Sequence, residues 1–306
     1  MLIDDECASS GDDSRPASVA SPRTEQGNPS NPSDPPSPVP SSSVLRKVLR
    51  SEAPARLTGR GRFRGFNRVH AGRPSGRMMR GLTRLLEERL FSEGILPSAT
   101  RRRVSPKTKK GKGGRGRAGD PPSWYRGKGS GRRRGIAIDA QLSAIANGRK
   151  PAAKSLYHLT RVALTALKAQ RIDLVCGQLP VVSDRANVAS AVDVVGVREG
   201  NELVLVELKT GYGDGRLVSA MKGGMPQTMR APLSRASDCL AHRHTTQLSA
   251  TAAMFVSNAP LMARLEAMGI QRVTGTLLYV TDDDVETIEL VEWWASRGRR
   301  ILRALA

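Results

Sequence analysis

Aromatic residues are scarce in this chain, with four Phe, four Tyr and three Trp among 306 residues. Any core must therefore be built from aliphatic side chains. Cysteine is scarcer still: Cys7, Cys176 and Cys239 are too few and too scattered for a disulfide framework, which points to a reducing, intracellular compartment. No run of about 18 apolar residues occurs, so no transmembrane helix and no membrane partner is expected. The opening MLIDDECASSGDD has neither a basic n-region nor an apolar h-region and does not read as a secretory signal. Residues 41–80 have the Arg- and Ser-rich, acid-poor composition of a transit peptide, but seven acidic residues lie within the first 34, which argues against mitochondrial import. Acidic charge is the other shortage. Against 49 Lys and Arg stand only 28 Asp and Glu, a formal net charge of +21.

That excess is concentrated. Residues 51–134 hold 24 basic and 5 acidic side chains, whereas residues 135–306 hold 20 and 16. A block so charged repels itself and seeks a polyanion, so nucleic acid is the first partner to consider, and a DNA-containing compartment such as the nucleus fits an intracellular protein. Charge of this kind carries no information about fold.

Residues 8–43 are Ser/Pro-rich with almost nothing to bury, and residues 101–122 form a Gly/Lys/Arg segment without periodicity. Residues 1–123 are thus expected to be a largely disordered basic extension. It holds one short amphipathic helix at 77–91, where Met78, Leu82, Leu85, Leu86 and Leu90 form one apolar stripe. The folded domain is expected at 124–306. There the pattern predicts helices at 136–148 and 154–170. The period then shifts from 3.6 to 2, giving strands at 172–182, 191–198 and 202–209, the last two joined as a hairpin through REGN. A Gly/Met/Pro loop (211–232) leads to helices at 245–256 and 261–268, strands at 272–280 and 285–293 and a basic C-terminal helix. This order reads as an α/β or α+β fold, a mixed central sheet flanked by helices.

One constellation carries chemistry. Asp193 stands in a valine run, and fourteen residues later comes Glu207-Leu208-Lys209. Alternation puts Glu207 and Lys209 on one face of a strand, and Asp193 on the neighbouring antiparallel strand can face the same way. Two carboxylates on adjacent apolar strands are costly unless they are solvated or hold a cation. A hard divalent ion takes carboxylate oxygens, a backbone carbonyl and waters, which describes a Mg2+ site, and a lysine beside it can orient an attacking water or stabilise charge on a phosphate.

This D-x13-E-x-K hairpin resembles the PD-(D/E)xK nuclease superfamily, and in particular its RecB-like exonuclease branch of the exonuclease V and mitochondrial genome maintenance exonuclease type. Arg134-Gly135-Ile136-Ala137-Ile138-Asp139 resembles the branch's Arg-Gly-x-x-x-His element, with Asp139 in the His position. His244-Thr245-Thr246-Gln247-Leu248 resembles its Gln motif, with Thr251 replacing the Tyr. The resemblance covers residues 133–292 and implies a restriction-endonuclease-like core acting as a metal-dependent deoxyribonuclease in replication, repair or recombination, with an exonuclease acting on ends or single strands favoured. It implies that Asp193, Glu207 and the Leu208 carbonyl bind Mg2+ or Mn2+, with Asp139 a further ligand. Lys209 positions the water, and Gln247 holds the water or the substrate phosphate. An aspartate in the His position suits magnesium better than manganese. An inactive nucleic-acid-binding relative and a basic packaging protein stand as the alternatives.

Other residues have plainer readings. Cys239, His242 and His244 lack a fourth ligand for closed zinc. Three cysteines exclude the usual iron-sulfur cluster, so none is expected. His158 reads as a packing or helix-surface residue, Gln178 as a polar strand residue that could be the vestige of an extra acid found in some relatives, and Asp282-Asp283-Asp284 as a solvated turn. GKGGRGRAG lacks the ending and setting of a phosphate loop.

Overall fold

Leu45, Val48 and Leu49 fall at helical spacing and are all buried, on helix α1 (Ser42–Ser51). The computed structural model describes residues 40–58, 65–94, 96, 130–199, 201–212, 214–282, 284–290 and 294–306. After α1 an antiparallel ribbon of β1 (Ala55–Thr58), β2 (Gly65–His70) and β3 (Arg73–Gly81) leads into helix α2 (Leu82–Arg89). Leu82, Leu85 and Leu86 are buried there, as their spacing predicts, and Leu90 is buried just beyond. Met78 is different: it lies in β3 and is exposed, because the chain is still extended at that point.

The folded region starts earlier than the boundary expected at residue 124. The described residues from 40 onward form one compact unit, and Leu45, Leu49, Leu82, Leu85 and Leu86 join the same core as Val175, Leu205 and Phe255. Arg46 and Arg50 of α1 fasten this region to the rest. Arg46 Nε donates to the Val175 carbonyl at 2.7 Å and the Ala146 carbonyl at 3.1 Å, and Arg50 donates to the Gly177 carbonyl. Two short apolar stripes bury enough surface to dock, whatever the polarity of their flanks. The disorder expected for residues 1–39 and 97–123, like the expected domain start at 124–129, falls outside the described residues.

Further along come helices α3 (Ser130–Ala146) and α4 (His158–Ala169), then strands β4 (Ile172–Ser183), β5 (Val188–Arg198) and β6 (Glu202–Thr210). The 211–232 loop carries a short 3-10 turn and a two-stranded ribbon, β7 (Met221–Lys222) with β8 (Met225–Pro226). Helices α5 (Leu240–Val256) and α6 (Ala259–Ala267), strands β9 (Arg272–Val280) and β10 (Val285–Glu289) and helix α7 (Trp294–Leu305) complete the order. From α3 onward this is the succession that the periodicity predicts, with the last strand ending at Glu289.

These strands make an eight-stranded mixed sheet in the order β1-β2-β3-β5-β6-β9-β10, with β4 also paired to β5. β4, β5 and β6 form an antiparallel meander, and β9 runs parallel to β6 along its whole length, returning by way of α5 and α6. Helices cover both faces, as a sheet with a parallel pair requires. α3 and α4 close over Val194, Val204, Val206 and Leu278, while α1, α2, α5 and α7 close over Val195, Leu203, Leu205 and Leu277. The α5–α7 contact depends on Gly298, where an added Cβ would lie 2.2 Å from the Ser249 carbonyl oxygen.

One edge of β5 is shared between two strands. β3 pairs with it at Val188 and Ala189, and β6 pairs from Val194 to Arg198. Asp193 lies in the interval between these two ladders.

Candidate active site

Asp193 marks an interruption of the sheet on both of its sides. The β5–β6 ladder ends at Val194 and Val206, one step before Asp193 would oppose Glu207, and the β4–β5 ladder skips from Gly177–Val194 to Leu179–Val192. Val188 and Val192 before Asp193, and Val195 and Val197 after it, all join the same core, so the strict alternation of faces breaks at this point. The backbone adapts in two ways. Leu208 N–H donates to Asp193 Oδ2 at 2.9 Å in place of a ladder partner, and Gln178 takes a positive φ of 53°.

The expected residues come together at this break. Glu207 is buried, at 3% exposure, at the point where β6 becomes accessible, whereas Asp139, Asp193, Lys209 and Gln247 are half-buried. Lys209 Nζ donates to Glu207 Oε1 at 2.7 Å, and Gln247 Nε2 on α5 donates to the same oxygen at 2.7 Å. Lys209 Nζ also lies 3.4 Å from Gln247 Oε1, which closes a three-membered ring of contacts. Glu207 Oε2 is left buried without a hydrogen-bond partner. On the other side of the break, Gln178 Nε2 donates to Asp139 Oδ1 at 2.8 Å and to Asp193 Oδ1 at 3.2 Å, joining α3 to β5.

Electrostatics follow from this crowding. Burial pushes the Asp193 carboxyl well above the usual carboxylate range, the negative charges of Glu207 and Asp139 push it further, and Lys209 and the Leu208 N–H only partly oppose them. Burial works against the Lys209 ammonium, but Glu207 and Asp193 outweigh it and hold its pKa above the ordinary lysine value. Lys209 is therefore a fixed cation beside Glu207 and Asp193.

Among the described residues, no group of three or more His, Cys, Asp and Glu side chains is already disposed to hold a metal ion. The Gln178 amide and the Lys209 ammonium stand among the acids instead. The donor set nevertheless suits a hard divalent cation. Glu207 Oε2 is an orphaned buried oxygen, Asp193 carries a charge that burial disfavours, and every candidate ligand is an oxygen. Leu208, expected to offer its carbonyl, is tied to the centre through its N–H.

The supporting roles of Arg50, Asn147 and Gly177 were not evident in the sequence. Asn147, at the end of α3, accepts from Gly177 N–H at 3.1 Å through Oδ1 and donates to the Gly177 carbonyl, which Arg50 also holds. Gly177 must be glycine for α3 to lie this close, since an added Cβ would sit 2.5 Å from the Ser143 Cα. At Gly135 an added Cβ would meet only the Thr210 Oγ1 side-chain atom at 3.0 Å, a tight contact against β6. Arg134 donates to Asp282 at 3.1 Å, and His158 Nε2 meets the Asp282 carbonyl at 3.1 Å. Asp282 is thus a docking point for two helices.

The remaining motif residues serve packing. His244 is buried, its Nδ1 is 2.9 Å from the Tyr279 hydroxyl, and Tyr212 meets its ring edge-on. Burial, with Lys209 and Arg243 close by, pulls its pKa down to about 2, so it is a neutral imidazole. Thr251 is fully buried and donates to Ser190 Oγ at 3.3 Å, tying α5 to β5. Cys239 is buried at the start of α5; burial raises its thiol pKa, but the bond to His242 outweighs this and lowers it. No protein-family model matches the sequence, and comparison with curated proteins finds no relative.

Proposed function

We propose that the chain is a metal-dependent deoxyribonuclease of the PD-(D/E)xK type, with a restriction-endonuclease-like core and the RecB-like exonucleases as its nearest pattern. The observation that carries this reading is the bonded cluster of Glu207, Lys209 and Gln247 beside Asp193, with Glu207 Oε2 buried and unpartnered. The buried Glu202, paired with Arg198 and Arg272, also leaves one oxygen unpartnered, so the convergence of Glu207, Lys209 and Gln247 beside Asp193 is what sets this site apart. The meander-plus-parallel-strand sheet, with α3 and α5 on opposite faces, supports the finer fold assignment.

Asp193 and Glu207, with Asp139 and the Leu208 carbonyl, would hold Mg2+ or Mn2+. A bound divalent ion supplies Lewis-acid stabilisation of the scissile phosphate and acidifies a bound water. The chain's own residues then have distinct tasks. Lys209 keeps its proton and presents positive charge where charge grows on the phosphate. The Gln247 amide is anchored on α5 and contacts both Glu207 and Lys209, so it sets the direction of the lysine and of a water bonded to it.

The basic segment N-terminal to α3 raises affinity for the phosphate backbone without reading sequence. An end or a single strand is the favoured substrate. The test is cleavage of labelled linear and circular DNA with Mg2+, Mn2+ or EDTA, comparing wild type with Glu207→Ala and Lys209→Ala. Metal-dependent cleavage abolished by both variants is the expected outcome. Binding without cleavage under every condition would replace this reading with that of an inactive nucleic-acid-binding protein.

A further inference from the structure

Gln178 has the one described backbone conformation of its kind inside a long strand: a non-glycine residue at φ 53° in the middle of β4. A side chain with a Cβ rarely holds this left-handed conformation unless its surroundings impose it. Here they do. The preceding Gly177 is bonded at both N–H and carbonyl by Asn147, held again by Arg50, and packed directly on the Ser143 backbone. Arg50 of α1, Ser143 of α3 and Asn147 just after α3 thus hold Gly177 on both sides, and the Gln178 side chain reaches Asp139 and Asp193.

Its amide nitrogen there bonds to two carboxylates at once, Asp139 at 2.8 Å and Asp193 at 3.2 Å. An NH2 group has two N–H bonds, so it supplies one to each carboxylate. It occupies the place that a cation bridging Asp139 and Asp193 would need. The Asp193–Glu207 side is different, because there an acid oxygen, Glu207 Oε2, has no hydrogen-bond partner.

We infer that Gln178 is a positioning residue that restricts this centre to a single divalent ion, held on the Asp193–Glu207 side, by serving as a neutral bridge where a second ion would bind. This rests on the metal-dependent reading above. It adds ion number and the residue that sets it. Asp139 is then a ligand only after its bond to Gln178 is released, which makes it a supporting residue in the resting enzyme.

The experiment is a Mn2+ titration of the full chain without DNA, followed by calorimetry and by the electron paramagnetic resonance signal of free Mn2+, on wild type, Gln178→Glu and Gln178→Met. Wild type is expected to take up one ion per chain. Gln178→Glu replaces the two-donor amide with a third carboxylate facing Asp139 and Asp193, and is expected to take up two. Its metal-free melting temperature should fall and be restored by Mn2+ to a greater extent than that of wild type. Gln178→Met removes the bridge without adding charge and keeps the longer side chain. Its metal-free protein should be less stable than wild type, which separates loss of the bridge from gain of a ligand.

Two ions of similar affinity in wild type, or one ion with a wild-type melting response in Gln178→Glu, would overturn the inference. No Mn2+ uptake by either protein would overturn both this inference and the metal-dependent reading. One ion in wild type and two in Gln178→Glu, with no cleavage of DNA, would leave the inference standing and remove the nuclease assignment alone.

Discussion

Helix α5 and the residues just before it contribute to two buried clusters of acids and bases, and the two are built on opposite lines. Near the N-terminus of α5, Asp238 is fully buried, with Arg243 Nε at 2.6 Å from one oxygen and Arg243 Nη2 at 2.8 Å from the other; the Ser92 N–H adds a third bond at 2.6 Å. Burial would raise the Asp238 pKa, but these donors outweigh it and hold it below the ordinary aspartate value. One turn further on, Gln247 faces Glu207 and Lys209, where an acid oxygen has no partner and the neighbouring Asp193 is held well above its usual range. The first cluster is complete and fastens the 92–94 segment to α5. The second is incomplete. Burial alone does not distinguish a structural ion pair from a reactive site; crowding of Asp139, Asp193 and Glu207 around a single lysine does.

That contrast can be broken by substitution. A large effect is expected for Lys209→Met, which should lower the single-turnover cleavage rate by about 10² to 10³ fold while the Mg2+-loaded variant stays folded. A large loss of folding with proportionate loss of rate would instead place Lys209 with the structural pair. Asp238→Ala, next in size, leaves Arg243 uncompensated and the Ser92 N–H without its acceptor. Chemical denaturation should show a loss of about 3 kcal/mol, independent of added Mg2+.

The same pair fixes a pH dependence. Because the folded-state pKa of Asp238 is lowered, its stabilising contribution is present above the unfolded-state value and is lost as pH falls through the folded-state value. Acid unfolding of the wild type should thus begin earlier than that of Asp238→Ala relative to each protein's own neutral-pH stability. Parallel acid-unfolding curves would remove Asp238 as a source of that dependence.

Asp193→Asn should behave differently from Asp238→Ala. It relieves a crowded negative charge but gives up one of the two N–H bonds that Asp193 accepts, so the metal-free protein should keep its stability at neutral pH while losing activity, the exchange of function for stability expected at a strained site. A destabilised Asp193→Asn would make the two clusters alike. The smallest effect on the chemical step belongs to the nine Lys and Arg residues of 101–117. Changing them to Gln should weaken DNA binding and flatten its dependence on salt, with the rate at saturating DNA unchanged.

From α3 to α7 the element order is legible in the sequence because periodicity is strong there. Asp193, Glu207, Lys209 and Gln247 are legible because their spacing is fixed by one hairpin and one helix. The docking of residues 42–94 is not. Its apolar stripes are short, and its arginines read as surface charge although Arg46 and Arg50 bond to carbonyls of α3 and β4. The role of Gln178 is hidden for a different reason, since it depends on a positive φ imposed by Asn147, Arg50 and Ser143, residues with no sequence pattern in common. The break in alternation at Asp193 is equally invisible, because a valine run is compatible with either face.

The most direct measurement is single-turnover cleavage of end-labelled linear DNA by wild type and Glu207→Gln, with Mg2+ and with EDTA, each preparation checked for folding by its melting curve. Cleavage that requires Mg2+ and falls by at least about 10³ fold in a folded Glu207→Gln is the predicted result. Cleavage by Glu207→Gln at the wild-type rate, or wild-type cleavage undiminished in EDTA, would contradict the assignment.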